Sequence, residues 1–116
     1  MLSAVPVCRT TLSRRTRHEH MNPAKVERRR VRQLTDLPNV GPATARNLEL
    51  IGIRVPGQLA GADPFELYER LCRTRCVRQD PCLLDVLISI TRFMEGDRPR
   101  PWWAYTEARK RRYGPL

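Results

Sequence analysis

Apolar positions recur at helical spacing along most of the chain, and nowhere do they alternate as a strand requires. Asn22-Pro23 opens the first such stretch, with Asn as cap and Pro at the first helical position. Val26, Val31 and Leu34 then share an inward stripe, with Arg28, Arg29, Arg30 and Arg32 outside it, which predicts a basic N-terminal helix. In the stretch Leu37 to Ala45, Gly41-Pro42 reads as a tight turn opening a second helix. That helix is expected to run to about Ile51, with Ala45, Leu48 and Ile51 inward and Gly52 as its left-handed cap. Val55-Pro56-Gly57 breaks the chain, and Gln58-Leu59-Ala60 predicts one short helical turn. Asp63-Pro64-Phe65-Glu66 repeats the start signal: Asp63 caps, Pro64 takes the first helical position, and Glu66 stands where a capping-box acid belongs. Phe65, Tyr68 and Cys72 follow at helical spacing. Asp80-Pro81 opens a further helix, apolar nearly all round over 83–94, as a central core helix must be. Pro99 and Pro101 predict an extended link to Trp102-Trp103, and Thr106 is expected to cap a final basic helix over 107–112.

Composition bounds what these elements can build. A chain of 116 residues, 41% hydrophobic, supports one modest core and no second lobe. No apolar run approaches a membrane span. The formal charge of +10 is uneven: +3 over 1–20, +4 over 21–34, −1 over 35–98 and +4 over 99–116. Two basic ends around a near-neutral middle point to a polyanionic partner, with solvated termini as the plainer alternative. Residues 1–20 hold Ser, Thr and Arg and no acid before Glu19. They read as an untranslated or disordered leader, with translation starting at Met21; an organelle transit peptide is the alternative. The expected organisation is therefore a leader over 1–20, a domain over 21–106 and a basic C-terminal tail over 107–116, in the cytoplasm.

Residues Leu37, Pro38, Asn39, Val40, Gly41, Pro42-Ala43-Thr44 and Ala45 resemble the helix-hairpin-helix motif, with Asn39 replacing its first glycine. That position calls for a positive φ, which Asn tolerates next best after Gly. Gly41 lets the backbone approach a phosphate closely. The amides of Gly41, Ala43 and Thr44 are the unpaired donors of a helix start, where the dipole favours an anion. A shift of 22 residues exposes a weak repeat that sets Leu37 on Leu59, Gly41 on Asp63, Pro42 on Pro64 and Ala45 on Leu67. An Asp at the second start satisfies its own amides and repels phosphate, so the first hairpin is expected to face ligand and the second to be structural.

The likeness extends over about 34–106: Leu34 to Asn47, Leu50-Ile51-Gly52-Ile53, Leu59 to Pro64, Glu66 to Cys72, Asp80-Pro81-Cys82 and Trp102-Trp103. These resemble a family of small bacterial proteins named as pathogenicity-locus, helix-hairpin-helix domain-containing and mitomycin resistance proteins. A looser similarity, limited to the tandem hairpin, links the chain to the C-terminal domain of competence regulators. The resemblance implies an all-α fold: a compact bundle of about five helices on a tandem helix-hairpin-helix (SAM-like) core, with a basic N-terminal helix and a C-terminal Trp-containing strap. It implies DNA binding and no established reaction. The phosphate-binding candidates are Asn39, Val40, Gly41, Ala43, Thr44 and Arg46, supported by Arg28, Arg29, Arg30, Arg32, Arg109, Lys110, Arg111 and Arg112. A protein-contact domain of the same fold with an acidic partner is the rival.

Little else in the sequence carries chemistry. Cys8, Cys72, Cys76 and Cys82 do not stand at zinc-ligand spacing, and His18 and His20 fall in the leader. Cys72 reads as core, and Cys82 as a buried packing residue, with a redox-sensitive thiol as the alternative because the dipole of a helix start would lower its pKa. Trp102, Trp103 and Tyr105 are expected to fold back and close the core, with stacking on unpaired bases as the alternative. Asp63 stands where a helix-hairpin-helix glycosylase would place its catalytic acid, but its capping context accounts for it and the chain is too short for a second lobe. No catalytic residue, cofactor, metal or small-molecule substrate is expected.

Overall fold

The computed structural model describes residues 22–114; the leader, Cys8, His18, His20 and Met21 lie outside them. The regular structure of these residues is helical throughout: α1 Pro42–Leu50, α2 Pro64–Arg75, α3 Pro81–Met94 and α4 Thr106–Tyr113, joined by 3₁₀ turns. Helix α3 is the axis. Every residue from Leu84 to Thr91 is buried, as is Phe93, and α2, α4 and the turn Trp102–Tyr105 pack around it. Leu37, Val40, Leu48, Leu59, Leu71, Leu84, Leu87 and Ile90 close the centre of the core, each at most 1% exposed.

Proline sets the first residue of α1, α2 and α3, where its missing N–H costs nothing. The helices then end as their residues require. After α1, Gly52 takes φ +92, and the Ile53 amide reaches back to the Leu48 carbonyl at 2.9 Å. After α2 the same turn falls on Cys76, at φ 59.

The 22-residue repeat is physical. A 3₁₀ turn precedes each of the first two helices, Leu34–Asp36 and Pro56–Leu59. A side chain inside each turn folds back onto preceding amides: the Asp36 carboxylate accepts from Arg32 and Gln33 at 2.9 and 3.0 Å, and the Gln58 carbonyl from Arg54 and Val55 at 2.6 and 3.1 Å. Asn39 and Gly61 then take φ 68 and +81, and Pro42 and Pro64 begin the helices. Asn39 thus adopts the left-handed backbone its position demands.

The expected N-terminal basic helix does not form. Two separate 3₁₀ turns, Pro23–Lys25 and Arg28–Arg30, take its place, with Val26 and Val31 extended after them. Like charges at helical spacing repel, and β-branched valines weaken a helix further. Arg28 also has a stronger use elsewhere. Its guanidinium donates to the carbonyls of Phe93 and, at 2.6 Å, Asp97, and lies 4.1 Å over the Phe93 ring. It thereby closes the C-terminal end of α3, while Val26, Val31 and Leu34 still pack on the core.

The C-terminal segment is likewise part of the body rather than a tail. Asp85, fully buried in the middle of α3, accepts from Arg109 Nε at 2.8 Å and from the Thr106 hydroxyl at 2.7 Å. Thr106 therefore makes no cap, and helix α4 begins directly from the Trp102–Tyr105 turn. Tyr113 stacks on Phe65 at 4.7 Å between ring centroids, fixing the far end of α4 to α2. Glu66 also departs from expectation: its carboxylate pairs forward with Arg70 at 2.8 Å. Arg70 in turn donates to the Ile51 carbonyl, which ties α2 to the end of α1.

Tyr105 is 4% exposed, and its hydroxyl meets no partner among the described residues. A buried hydroxyl without a hydrogen bond is a cost. Tyr105→Phe is therefore expected to leave stability unchanged or to raise it by up to about 1 kcal/mol, measured as the shift in urea midpoint.

Candidate nucleic-acid interface

Among the described residues three α-helices start on proline, and their first turns differ in one respect. At α2 the Asp63 carboxylate accepts from the Phe65 amide at 3.0 Å, and at α3 Asp80 accepts from the Cys82 amide at 2.9 Å. At α1 the capping position is Gly41, which has no side chain to do this. The Ala43 amide, the counterpart of the capped Phe65 and Cys82 amides, consequently finds no acceptor among the described residues; the Gly41 and Thr44 amides find none either, and the first helical amide to do so is Ala45, on the Gly41 carbonyl at 2.9 Å. Gly41 is extended, at φ −99 and ψ −173, and a Cβ built on it would meet nothing within 4 Å. The space beside the Gly41 Cα is open.

Behind the turn the anchoring is tight. Val40 is fully buried, so of the candidate residues it serves as core and offers no side chain to a ligand. The Asn39 amide donates to Ser89 Oγ at 3.0 Å and to the Arg100 carbonyl at 2.8 Å. One residue of the turn thus holds both α3 and the segment before Trp102. Arg46 is half-buried on α1, and one terminal guanidinium nitrogen is shut from solvent with no acceptor among the described residues. Asn47 next to it accepts from Arg75 at 2.8 Å, which braces α1 against α2.

The supporting basic residues divide into two groups. Arg29, Arg30 and Arg32 are exposed, the first two in loose pairs with Glu27 at 3.6 and 3.3 Å. Lys110, Arg111 and Arg112 are exposed on α4. Arg28 and Arg109 have partners inside the fold: Arg28, exposed, donates to the carbonyls at the end of α3, and Arg109, with its side chain 8% exposed, is held by Asp85. That hydrogen bond and charge raise the Arg109 pKa further. Sequence spacing does not reveal either use. The carboxylate of Asp85 inside an apolar helix was the one signal that a buried cation must exist. Nor does local spacing reveal Arg100 as a neighbour of the Asn39 turn, because that link spans 61 residues.

Cys82 also differs from expectation. It is exposed rather than packed, and its thiol pKa is raised, by desolvation first and then by the Asp80 carboxylate that caps the same helix. Trp102 is half-buried and Tyr105 buried, whereas Trp103 remains 60% exposed, so only part of the aromatic cluster closes the core.

Residues 27–111 match the Cdd1 family, described as pathogenicity locus. A mitomycin resistance protein of Streptomyces lavendulae, McrB, is 51% identical over 78 residues, which cover 67% of this chain and 74% of that protein. No solved structure matches the chain.

Proposed function

The chain belongs to the Cdd1 pathogenicity-locus family, and from that premise we propose that it is a non-enzymatic module that grips DNA backbone without reading base sequence. In this reading the 22-residue repeat is a tandem helix-hairpin-helix whose leading helices are reduced to 3₁₀ turns. The observation that carries it is the contrast between the three proline starts: Asp63 and Asp80 each cap one amide of theirs, while Gly41 leaves the matching Ala43 amide uncapped at the positive end of α1. The exposed Arg29, Arg30 and Arg32 supply positive charge, with the half-buried Arg46 beside them in the sequence reading. Contacts of this kind position a duplex and carry no sequence information. The name of the Streptomyces lavendulae relative extends the proposal to a role in resistance to DNA damage.

The test is a salt series. With about four phosphate contacts, a fourfold rise in salt is expected to weaken binding roughly a hundredfold, and unrelated sequences should bind alike. Absence of binding to any DNA at low salt defeats the proposal. A second reading, a protein-contact module with an acidic partner, draws on Leu50 and Val55, both 51% exposed. A partner captured after nuclease treatment, by a protein that does not bind DNA, would favour it.

A further inference from the structure

Trp103 is the most exposed large hydrophobic residue among those described, and the only aromatic one of that group. It does not belong to a loose end. The turn Trp102–Tyr105 is closed by the Ala104 amide on the Pro101 carbonyl at 3.0 Å. On one side Tyr105 is sunk in the core; on the other Arg100 is held to the hairpin by Asn39. Trp102 meets the Trp103 indole edge-on, with ring centroids 5.5 Å apart and planes at 83°. An indole kept in solvent by a turn pinned at both ends presents a flat apolar face at a fixed place. That place is three residues from the point where the chain touches the hairpin turn, and the neighbouring Arg98 and Arg100 side chains are exposed cations. The Asn39–Arg100 hydrogen bond joins the segment that carries Trp103 directly to the turn before Gly41.

Building on the phosphate-binding role of the first hairpin, we infer that Trp103 stacks on an unpaired nucleobase, so that the protein prefers DNA with a single-stranded interruption. In an intact duplex each base face is already covered by its neighbours, so the indole gains nothing there. Beside a gap or frayed end the face is free, and stacking on an aromatic side chain tolerates any base. The basic surroundings favour this occupant over an apolar peptide.

The experiment compares an intact duplex with the same duplex carrying a short gap, the gap containing 2-aminopurine as a fluorescent base. The wild-type chain should bind the gapped probe roughly tenfold more tightly and quench the 2-aminopurine. Trp103→Leu, which keeps an apolar side chain without a π-face, should lose both the preference and the quenching, while Trp103→Phe keeps most of each. Thermal unfolding of each variant checks that the exposed position has left the fold intact. Salt-sensitive binding with equal affinity for both probes overturns this inference and leaves the phosphate reading standing. Preference retained in Trp103→Leu overturns it as well. Failure to bind either probe at low salt overturns both.

Discussion

Asp85→Ala is expected to lower stability by about 3–5 kcal/mol, a large fraction of the total for a domain of this size. Asp85 is fully buried and accepts three hydrogen bonds, two from Arg109 at 2.8 and 3.4 Å and one from Thr106 at 2.7 Å. Its removal leaves the Arg109 guanidinium out of water with no counter-charge, and that uncompensated cation, more than the lost attraction, sets the size of the effect. The companion measurement is the double replacement Asp85→Leu with Arg109→Met. Taking away both charges and filling the space should recover most of the loss, because a buried ion pair roughly breaks even against well-packed apolar side chains. Denaturant midpoints of the single and double variants decide the matter. A single variant as stable as wild type would show that the pair is solvated.

Gly41→Asp is expected to separate binding from stability. It gives α1 the same start as α2, where Asp63 caps the Phe65 amide. The backbone at Gly41 is extended, and the space around its Cβ position is empty, so the substitution should fold without strain. An Asp cap gains a few tenths of a kcal/mol over Gly. Yet the new carboxylate takes the Ala43 amide, which a phosphate oxygen would use, and adds a like charge where the anion must sit. A loss of about 2 kcal/mol in DNA binding, roughly thirtyfold, should follow. Mobility shifts at fixed salt, read beside the thermal midpoint, check both halves. Unchanged affinity would remove α1 from the interface.

Much of this architecture was legible in the residues. The proline starts at 42, 64 and 81, the left-handed stop at Gly52 and the all-round apolar α3 follow from local steric rules and from burial. So does the positive φ at Asn39, and with it the register of the repeat. The failures share a cause. Val26, Val31 and Leu34 sit at inward spacing whether the chain between them is helical or not, since a run of 3₁₀ turns can bury the same side chains. The uses of Arg28, Arg109 and Asn39 depend on partners 24 to 69 residues away, which no local pattern encodes. The exposure of Trp103 beside a half-buried Trp102 is decided by which face of one short turn meets α3. At the candidate site, the open amides of α1 were readable from Gly41-Pro42, whereas the residues that brace them from behind were not.

The prolines that begin α1, α2 and α3 act on the denatured chain as well as on the native one. Each ring restricts φ near its helical value before any turn has formed, and it narrows the choices of the residue ahead of it. The denatured ensemble is therefore poorer in conformations at the three points where the main helices must begin, and ordering those points on folding sacrifices less entropy than it would with alanine there. In a chain with so small a core, part of the stability of the native state originates in the restricted state it competes against.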